Sequence, residues 1–491
     1  MSEPFDLIVI GGVVNGAGVA RDAAGRGASV LLLEAHDLAS GTSSKSTKLV
    51  HGGLRYLEYY EFALVREALA EREKLWAIAP HIIWPMRFVL PVTPGMRNRW
   101  MLRAGLFLYD HIGARKALPA TRSLDLDSNE AGRGLAIAAR HAFEYSDCWV
   151  DDARLVVLNA KDAALHGAHI RTREAVTSAR RSDDGLWLVE TAQGQYRARA
   201  LVNAGGPGAD DVARLAGRKP AYGIRRVRGS HIVVPRQLDH DAAFILQLPD
   251  TRICFVIPYE NGFTLIGTTD ADHDGSLDEV EASEAEIAYL IAAYNAHFEQ
   301  PVSRTDVACS YAGVRALVDE GEDRPEAATR GYRLALSDAD EGAPVLGIYG
   351  GKITSYRHLS EEVVDMLGER LECLAGPHWT ADKPLPGGDF PMQAQHVLVA
   401  EMQADYPFLD TEEALRITRS YGLDAVDWLG EAISREDLGR DFGCGLSEAE
   451  VTYLREREWA LSAEDILWRR TKLGLRMSEP EQAALAEYLG G

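Results

Sequence analysis

The chain has 491 residues, of which 74 are Asp or Glu and 52 are Lys or Arg, so its formal net charge is −22. This charge argues against nucleic acid as a partner, and 46% hydrophobic with 26% charged residues is typical of a globular protein of several domains. No segment has the roughly 18 consecutive apolar residues of a membrane-spanning helix, and no basic segment of a signal peptide precedes the first apolar run. The five cysteines are scattered singly, so we expect reduced cytosolic thiols and no metal site.

The first forty residues have the pattern of a nucleotide-binding βαβ unit. The apolar run 5–10 predicts a strand, the Ala-rich stretch 15–27 predicts a helix, and 29–33 predicts a second strand that ends at Glu34. In such a unit a pyrophosphate lies on the helix N-terminus and the terminal acid binds a ribose. The order of elements therefore predicts a dinucleotide site.

The glycines of this unit depart from the expected spacing at one position. Gly11 and Gly16 occupy the outer positions of a GxGxxG pattern, and Val13 stands where the middle glycine allows close approach to phosphate. We assign Gly11, Gly12 and Gly16 to the pyrophosphate and Glu34 to the ribose. Val13 predicts weaker retention of the cofactor rather than a different location.

A hydroxyl-rich loop follows the unit directly. Residues 39–56 read ASGTSSKSTKLVHGGLRY, and His51, Arg55 and Tyr56 cluster around two glycines. A solvated surface loop would explain the serines, but it would not explain this cluster directly after a nucleotide fold. We therefore expect the loop to contribute to the site.

Seven segments along the chain carry a specific resemblance. They are TSSKSTKLVHGGLRYLE at 42–58, EYSDCWVDDARLV at 144–156, RGSHIVVP at 228–235, IGTTD at 266–270, YAGVRAL at 311–317, YGGKITSYR at 349–357 and LWRRTKLG at 467–474. In these segments the chain resembles the FAD-dependent, quinone-linked glycerol-3-phosphate dehydrogenases. It departs from their pattern at Val13, Lys45, Gly208 and Arg228.

The remaining pattern predicts an α/β and α+β fold. An amphipathic helix is predicted at 60–79 and an edge strand at 84–92, because two prolines fall in the latter. Closely spaced strand signals between 230 and 267 predict an antiparallel sheet. The resemblance implies a Rossmann-like FAD domain of the glutathione-reductase and amino-acid-oxidase type. The predicted organisation is a discontinuous FAD domain (1–80, 145–220 and 305–375), an antiparallel-sheet substrate domain (81–144 and 221–304), a Pro/Gly-rich linker (376–390) and an all-helical C-terminal domain (391–491).

The resemblance implies oxidation of sn-glycerol 3-phosphate to dihydroxyacetone phosphate, with FAD as hydride acceptor and a membrane quinone receiving the electrons. A phosphomonoester needs basic groups, and arginine provides a bidentate fork. Arg55, Arg315 and Lys352 are expected to face the substrate, with Arg330 as a further candidate. The full set of expected substrate contacts is Arg55, Tyr56, Thr269, Arg315, Arg330 and Lys352.

The proton acceptor is not fixed by the sequence. His51 and His231 both fit, because an imidazole of near-neutral pKa suits this task, and we favour His51 because it precedes Arg55. Lys352 follows two glycines at a predicted helix start, where it could serve the flavin or the substrate. Beyond the βαβ unit, the expected cofactor contacts are Thr42, Ser43, Lys48, Val176, Ala204, Gly205, Gly350, Gly351, Lys352 and Thr354.

Residues 97–116 differ from the rest of this acidic chain. They contain five basic residues and one acid, together with Trp100, Phe107 and Tyr109. One interpretation is a segment that lies on anionic lipid and admits a quinone; the other is a core helix whose arginines reach the surface. The resemblance favours the first, and implies a cytoplasmic enzyme held peripherally on the inner face of the cytoplasmic membrane. We also expect a homodimer.

Three other functions remain open at this stage. A closely related enzyme would be an oxidase that passes electrons to oxygen and forms hydrogen peroxide. A flavin-poor binding protein that has lost catalysis would explain Val13 and Gly208. An FAD-dependent amine or amino-acid oxidase would share the fold but bind a carboxylate with fewer cations.

Overall fold

The computed structural model describes residues 3–93, 97–113, 115–137, 139–236, 238, 240–319, 331–337 and 342–490. Within this part of the chain, eight strands form the first sheet, in the order β17-β18-β10-β1-β2-β7 with the β8–β9 hairpin beside β10. The strands are β1 (Phe5–Ile10), β2 (Val30–Leu33), β7 (His169–Arg171), β8 (Val176–Arg181), β9 (Trp187–Thr191), β10 (Gln195–Asn203), β17 (Tyr332–Leu336) and β18 (Val345–Gly350).

The centre of the first sheet is parallel, with β1 between β10 and β2 and with β7 beyond β2. Helices α1 (Val14–Gly25), α4 (Asp152–Leu165) and α7 (Tyr356–Gly368) pack around it. Because helices and neighbouring segments cover the sheet, all four residues of β2 are buried and apolar. The helix α5 (Ala209–Leu215) follows β10.

The described residues place ten strands in the second, mainly antiparallel sheet, in the order β15-β11-β14-β13-β12-β4-β6-β3, with β16 beside β11 and β5 beside β6. These are β3 (Leu49–Val50), β4 (Ile83–Pro91), β5 (Arg122–Asp125), β6 (His141–Val150), β11 (Ile224–Pro235), β12 (Ala243–Gln247), β13 (Ile253–Tyr259), β14 (Phe263–Gly267), β15 (Ala271–Asp272) and β16 (Cys309–Val318). Helices α2 (Phe62–Ile78), α3 (Arg99–Ile112) and α6 (Glu284–Asn295) accompany this sheet.

Three predicted assignments differ from this sheet topology. The strands β6 and β16, which fall mostly or wholly within the ranges predicted for the FAD domain, pair with β4 and β11 of the second sheet. The strand β4 is internal rather than an edge. Its prolines are tolerated because β12 pairs only with Phe88 and Val89, so that Pro85 and Pro91 lie outside the stretch bonded on that side.

The C-terminal part is helical, as predicted. It contains α8 (Gln395–Asp405), α9 (Thr411–Tyr421), α10 (Val426–Leu429), α11 (Glu448–Glu458) and α12 (Glu479–Leu489), with a π-helical turn at Asp465–Arg470. Its own core includes Ile417, Trp428, Leu454 and Leu467. No described helix has both the length and the apolar composition required to cross a bilayer.

Buried ion pairs hold the helical domain against α4. Arg154 makes a bidentate pair with Glu458, and neither side chain is accessible to solvent. Lys161 Nζ lies 2.6 Å from Asp424 Oδ2. Loss of one partner from a buried ion pair lowers the stability of the fold strongly, because the other charge is left unpaired. This interface is therefore a fixed part of the fold.

The segment 376–390 is not a free linker. Arg21 donates to the carbonyl oxygen of Lys383 at 2.8 Å, and the indole N–H of Trp379 donates to the carbonyl oxygen of Asp22 at 3.2 Å. Leu385 is buried and its N–H donates to Ile78. Proline and glycine shape this connection, but hydrogen bonds fix it to the first-sheet domain.

Candidate active site

The turn between β1 and α1 is a tight backbone cradle. Gly11 has φ +114°, and a Cβ there would lie 2.6 Å from the carbonyl oxygen of Ala204. A Cβ on Gly16 would lie 1.9 Å from the carbonyl oxygen of Gly11. Only glycine fits at either position, and the first turn of α1 carries no acid. This leaves the helix N-terminus suited to an anion such as a pyrophosphate.

Glu34 ends β2 beside this cradle. Its carboxylate accepts from the N–H of Gly12 at 2.6 Å and from the N–H of His36 at 2.9 Å. Burial raises the pKa of Glu34. An acid at the carboxyl end of a central parallel strand, next to the glycine turn, is where the ribose of a dinucleotide binds. The cradle therefore fits the adenosine and pyrophosphate of FAD.

Val13 enters the cradle without backbone strain. Its φ of −93° and ψ of −177° are those of an extended residue preceding a helix. Its side chain lines the cavity described below and points toward Gly41. Valine in place of glycine therefore adds side-chain volume to the cavity and does not change the backbone conformation that the turn requires.

Replacing Val13 with Gly is expected to tighten FAD binding by about tenfold, the effect of one or two methyl groups in a binding pocket. Glycine is also a better residue than valine at this N-cap position. Titration of the apoprotein with FAD, followed by absorbance, measures the change. Ile433→Gly, at an exposed position of the helical domain, serves as the control. Equal FAD affinity in Val13→Gly and the parent would contradict the assignment.

A cavity of about 290 Å³ lies between the cradle and the second sheet. It receives residues from the hydroxyl-rich loop, from β12, β13 and β16, and from the turn after β18. Ile245, Ile253 and Phe255 form its apolar wall. The predicted site residues that line it are Thr42, Ser43, His51, Arg55, Tyr56, Arg315, Gly350, Gly351, Lys352 and Thr354.

Three of the predicted cations converge on this cavity. Arg315 pairs with Asp270, with 2.5 Å between Nη1 and Oδ1, and donates to Thr268 at 2.9 Å. The Lys352 ammonium lies 4.0 Å from the centroid of the Tyr56 ring. Arg55 Nη2 donates to the Tyr59 hydroxyl at 3.3 Å. With one carboxylate among them, these groups suit a dianionic phosphate.

Comparison with known proteins agrees with this geometry. Residues 6–357 match the family described as FAD dependent oxidoreductase, and residues 378–489 match the C-terminal domain of alpha-glycerophosphate oxidase. The chain is 51% identical to the glycerol-3-phosphate dehydrogenase of Pseudomonas aeruginosa, with 100% of this chain and 96% of the relative covered. The chain belongs to the FAD-dependent glycerol-3-phosphate dehydrogenase family.

Two further relatives and one solved structure are also similar to this chain. The aerobic glycerol-3-phosphate dehydrogenase of Escherichia coli K12 is 47% identical, with 99% of this chain and 97% of the relative covered. The D-erythritol 1-phosphate dehydrogenase of Brucella abortus is 50% identical, with 99% and 98% covered. The glycerol-3-phosphate dehydrogenase of Bacillus halodurans, solved with FAD, superposes with a TM-score of 0.76 at 26% identity, covering 99% of this chain and 94% of that one. The predicted family, fold class and FAD cofactor are confirmed.

His51 lies at the cavity and stays a candidate for the proton acceptor. It lines the cavity, and its backbone N–H donates to the Thr354 hydroxyl at 3.3 Å. Burial, followed by the positive charges of Lys352 and Arg72, lowers the pKa of His51 to about 4. The imidazole is therefore neutral near pH 7, but it is a weaker base than the imidazole of near-neutral pKa expected from the sequence.

His231 occupies a different position from the one its predicted catalytic role requires. It is buried behind the cavity, stacked on Tyr311 at 4.9 Å between ring centroids, and its Nε2 lies 2.9 Å from the Thr47 hydroxyl oxygen. Burial, Arg315 and Lys48 hold the pKa of His231 well below its ordinary value. Because Thr47 and not His231 lines the cavity, a positioning role fits His231 better.

Two other predicted contacts turn away from the cavity. The Lys48 ammonium is buried against Asp152 at 2.8 Å and also donates to the carbonyl oxygen of Ser44, so it anchors the loop from behind. The Thr269 hydroxyl donates to Glu286 at 2.8 Å, and its neighbours Thr268 and Asp270 line the cavity instead. The spacing of residues in the sequence does not show which way the side chains of Lys48 and Thr269 point.

The remaining predicted residues stay predictions. Ala204 and Gly205 border the cradle, as the contacts of Gly11 indicate. Val176 begins β8, two positions beyond Glu174, whose N–H donates to the carbonyl oxygen of Glu34. Arg330 lies outside the described residues.

Lys45 is the main site residue that the sequence did not single out for binding. It lines the cavity, and its ammonium makes no hydrogen bond or ion pair with any described residue. Burial, together with Lys48 and Arg469, lowers its pKa. The sequence feature that could have indicated a binding role for Lys45 is its position in the hydroxyl-rich loop, next to predicted cofactor contacts.

Proposed function

We propose that this chain oxidises sn-glycerol 3-phosphate to dihydroxyacetone phosphate and passes the electrons to a membrane quinone. The convergence of Lys45, Arg55, Arg315 and Lys352 on one cavity beside the FAD cradle is the observation that carries the proposal. In a chain with a net charge of −22, such a cluster implies a phosphate ligand. The names of the Pseudomonas and Escherichia relatives support glycerol 3-phosphate as that ligand.

Each residue has a defined task in this reaction. The cations hold the phosphate, which fixes the carbon that is to lose its hydride. The neutral imidazole of His51 accepts the proton of the hydroxyl group on that carbon. Phe255 and Ile245 exclude water from the reacting atoms. FAD, when bound, supplies the hydride acceptor.

Anaerobic addition of glycerol 3-phosphate to the purified yellow enzyme tests the proposal. Rapid bleaching of the flavin absorbance is expected. A colourless protein that takes up no FAD would favour a binding protein. A yellow protein that glycerol 3-phosphate does not bleach, but an amino acid does, would favour the amine oxidases.

D-erythritol 1-phosphate is a second candidate substrate, because a relative named for it is 50% identical over almost the whole chain. Both compounds carry a phosphate and an oxidisable alcohol, so the same cations would bind them. Comparison of kcat/KM for the two compounds decides between them.

The Lys45→Met variant is expected to raise KM for the phosphorylated substrate by about tenfold, the effect of losing one charge-assisted hydrogen bond. The kcat value should change less, since Lys45 is expected to bind the ground state and the transition state alike. Lys45→Arg is the matched control and should retain most of the affinity. An unchanged KM in Lys45→Met would remove Lys45 from the phosphate site.

A path to a membrane acceptor is supported by the surface beside the cavity. Tyr59 lines the cavity and is 44% exposed. The neighbouring helix α3 buries Leu102, Leu106 and Tyr109 and presents its opposite face to solvent. That face carries Trp100 at 75% exposure and Phe107 at 65%, together with exposed Arg99 and Arg103. Aromatic and basic residues on one face suit an anionic lipid surface.

The double variant Trp100→Ser with Phe107→Ser is expected to bind phosphatidylglycerol vesicles about tenfold or more weakly than the parent, because apolar burial in the interface is lost. Vesicle sedimentation at low and high salt measures the binding. The matched control, Val426→Ser with Ile433→Ser, changes exposed aliphatic residues of the helical domain. Equal sedimentation of the two double variants would contradict a lipid-binding α3.

The electron acceptor and the assembly are tested separately. Fast reduction of a short-chain ubiquinone with little hydrogen peroxide is expected, and the reverse result would favour an oxidase. The expected homodimer rests on the family resemblance, and sedimentation velocity of the holoenzyme tests it.

A further inference from the structure

A second cavity, of about 690 Å³, lies between the second sheet and the helical domain. Its wall comes from β4, β6 and the β13–β14 turn on one side, and from α9 and residues 471–476 on the other. No described residue lines both this cavity and the active site. Its volume lies within the usual range of small-molecule sites, which occur preferentially at domain interfaces.

Aromatic side chains form one wall of this inter-domain cavity. The ring centroids of Trp84 and Trp149 lie 6.0 Å apart, and those of Trp149 and Tyr259 lie 5.7 Å apart. All three residues border the cavity. Trp149 and Tyr259 are buried behind Trp84, and Trp84 is partly exposed, so its ring can pack against a planar ligand.

Arg419 differs from the other cations in this wall. The other five have carboxylate partners: Arg87 with Glu144, Arg416 with Glu450, Lys472 with Asp151, Arg236 with Asp241 and Arg476 with Glu412. Arg419 makes no hydrogen bond or ion pair with any described residue, and its Nε is buried without a partner. Its guanidinium lies 4.3 Å from the centroid of the Trp84 ring.

Glu260 limits the charge that the cavity can accept. It lies on the β13–β14 turn, borders the cavity and forms no ion pair with a described side chain. Burial raises the pKa of Glu260, and wherever its carboxylate is charged it repels an anion. A dianionic phosphate would therefore be disfavoured relative to a singly charged carboxylate.

We propose that this cavity is a second ligand site, which binds a planar aromatic carboxylate. The aromatic ring packs against the exposed part of Trp84, and the carboxylate accepts hydrogen bonds from the fork of Arg419. The site supplies the partner that Arg419 otherwise lacks, and it is independent of the oxidation proposed above.

Isothermal titration of the holoenzyme with 2-naphthoate tests the proposal. We expect binding of one molecule per chain, weakened about tenfold or more in Arg419→Met because a charge-assisted hydrogen-bonded pair is lost. Glu260→Gln is expected to tighten binding, since it removes a like charge. A merely structural effect of either substitution would not give these opposite signs.

Two controls separate this site from the other anion-binding and apolar surfaces. Arg55→Met alters the active-site cavity and Trp100→Ser alters the exposed face of α3, and both should bind 2-naphthoate as the parent does. Absence of binding to the parent, or equal binding by Arg419→Met and the parent, would overturn the proposal. If Arg419→Met does not fold, unchanged or weaker binding by Glu260→Gln would overturn it.

Discussion

Replacement of His51 by Asn is expected to slow flavin reduction by glycerol 3-phosphate by about two to four orders of magnitude, the usual contribution of a positioned general base. The imidazole lines the cavity together with Arg55 and Lys352. Asparagine retains a polar group of similar size but cannot accept the proton. Anaerobic stopped-flow absorbance at saturating substrate measures the rate constant.

The pH dependence provides an independent check on His51. A base acts in its unprotonated form, so activity is present above its pKa and is lost as the pH falls through it. Because the pKa of His51 is lowered to about 4, the limiting rate constant should stay level between about pH 6 and pH 8. A fall centred near pH 6.5 in the parent, absent from His51→Asn, would indicate an imidazole of ordinary pKa.

His231→Asn is the matched comparison. His231 is hydrogen-bonded to Thr47 and does not itself line the cavity, so its replacement should lower the rate constant much less than that of His51. If His51→Asn reduced its flavin at the parental rate while His231→Asn did not, the two assignments would have to be exchanged.

The Asp37→Ala variant is expected to lose about 3 kcal/mol of stability in the transition that separates the helical domain, because it removes the carboxylate that two buried arginines share. Arg469 keeps Asp465 as a partner, and Arg470 keeps the more distant Glu458, at 3.9 Å. Arg469 Nε lies 2.6 Å from Asp37 Oδ2, and Arg470 Nη2 lies 2.8 Å from Asp37 Oδ1. All three side chains are buried. Urea denaturation of the holoenzyme, followed by tryptophan fluorescence and by FAD release, measures the loss.

The control for Asp37 is an exposed ion pair. Glu284 pairs with Arg304 at 2.9 Å, and both side chains are largely exposed to solvent. Glu284→Ala should leave the denaturation midpoint unchanged, since exposed pairs are screened by water and salt. A midpoint for Asp37→Ala equal to that of Glu284→Ala would mean that Asp37 does not hold the helical domain.

Local patterns predicted the elements that depend on neighbouring residues. The strand at Phe5–Ile10 has the predicted bounds, and β13 and β14 lie within the stretch 230–267 predicted to form an antiparallel sheet, because apolar runs between turn residues specify them. The placement of β16 depends on pairing with β11, about ninety residues earlier in the chain. No local pattern encodes such a partner.

The same distinction applies to the candidate site. Motif positions placed His51, Arg55, Arg315 and Lys352 in one cavity, because the family resemblance carries information about tertiary structure. It did not reveal that Lys48 turns toward Asp152, which is 104 positions away. The direction of a side chain depends on the partner that is available in the folded protein, and this partner is set by packing.

The buried pairs of the helical domain also have a consequence for synthesis of the chain. Asp37 is made 432 residues before Arg469, and Arg154 is made 304 residues before Glu458. Until the helical domain has been made, this carboxylate and this guanidinium lack the partners that compensate for their burial. We therefore expect this face of the cofactor domain to stay hydrated until the helical domain has been made.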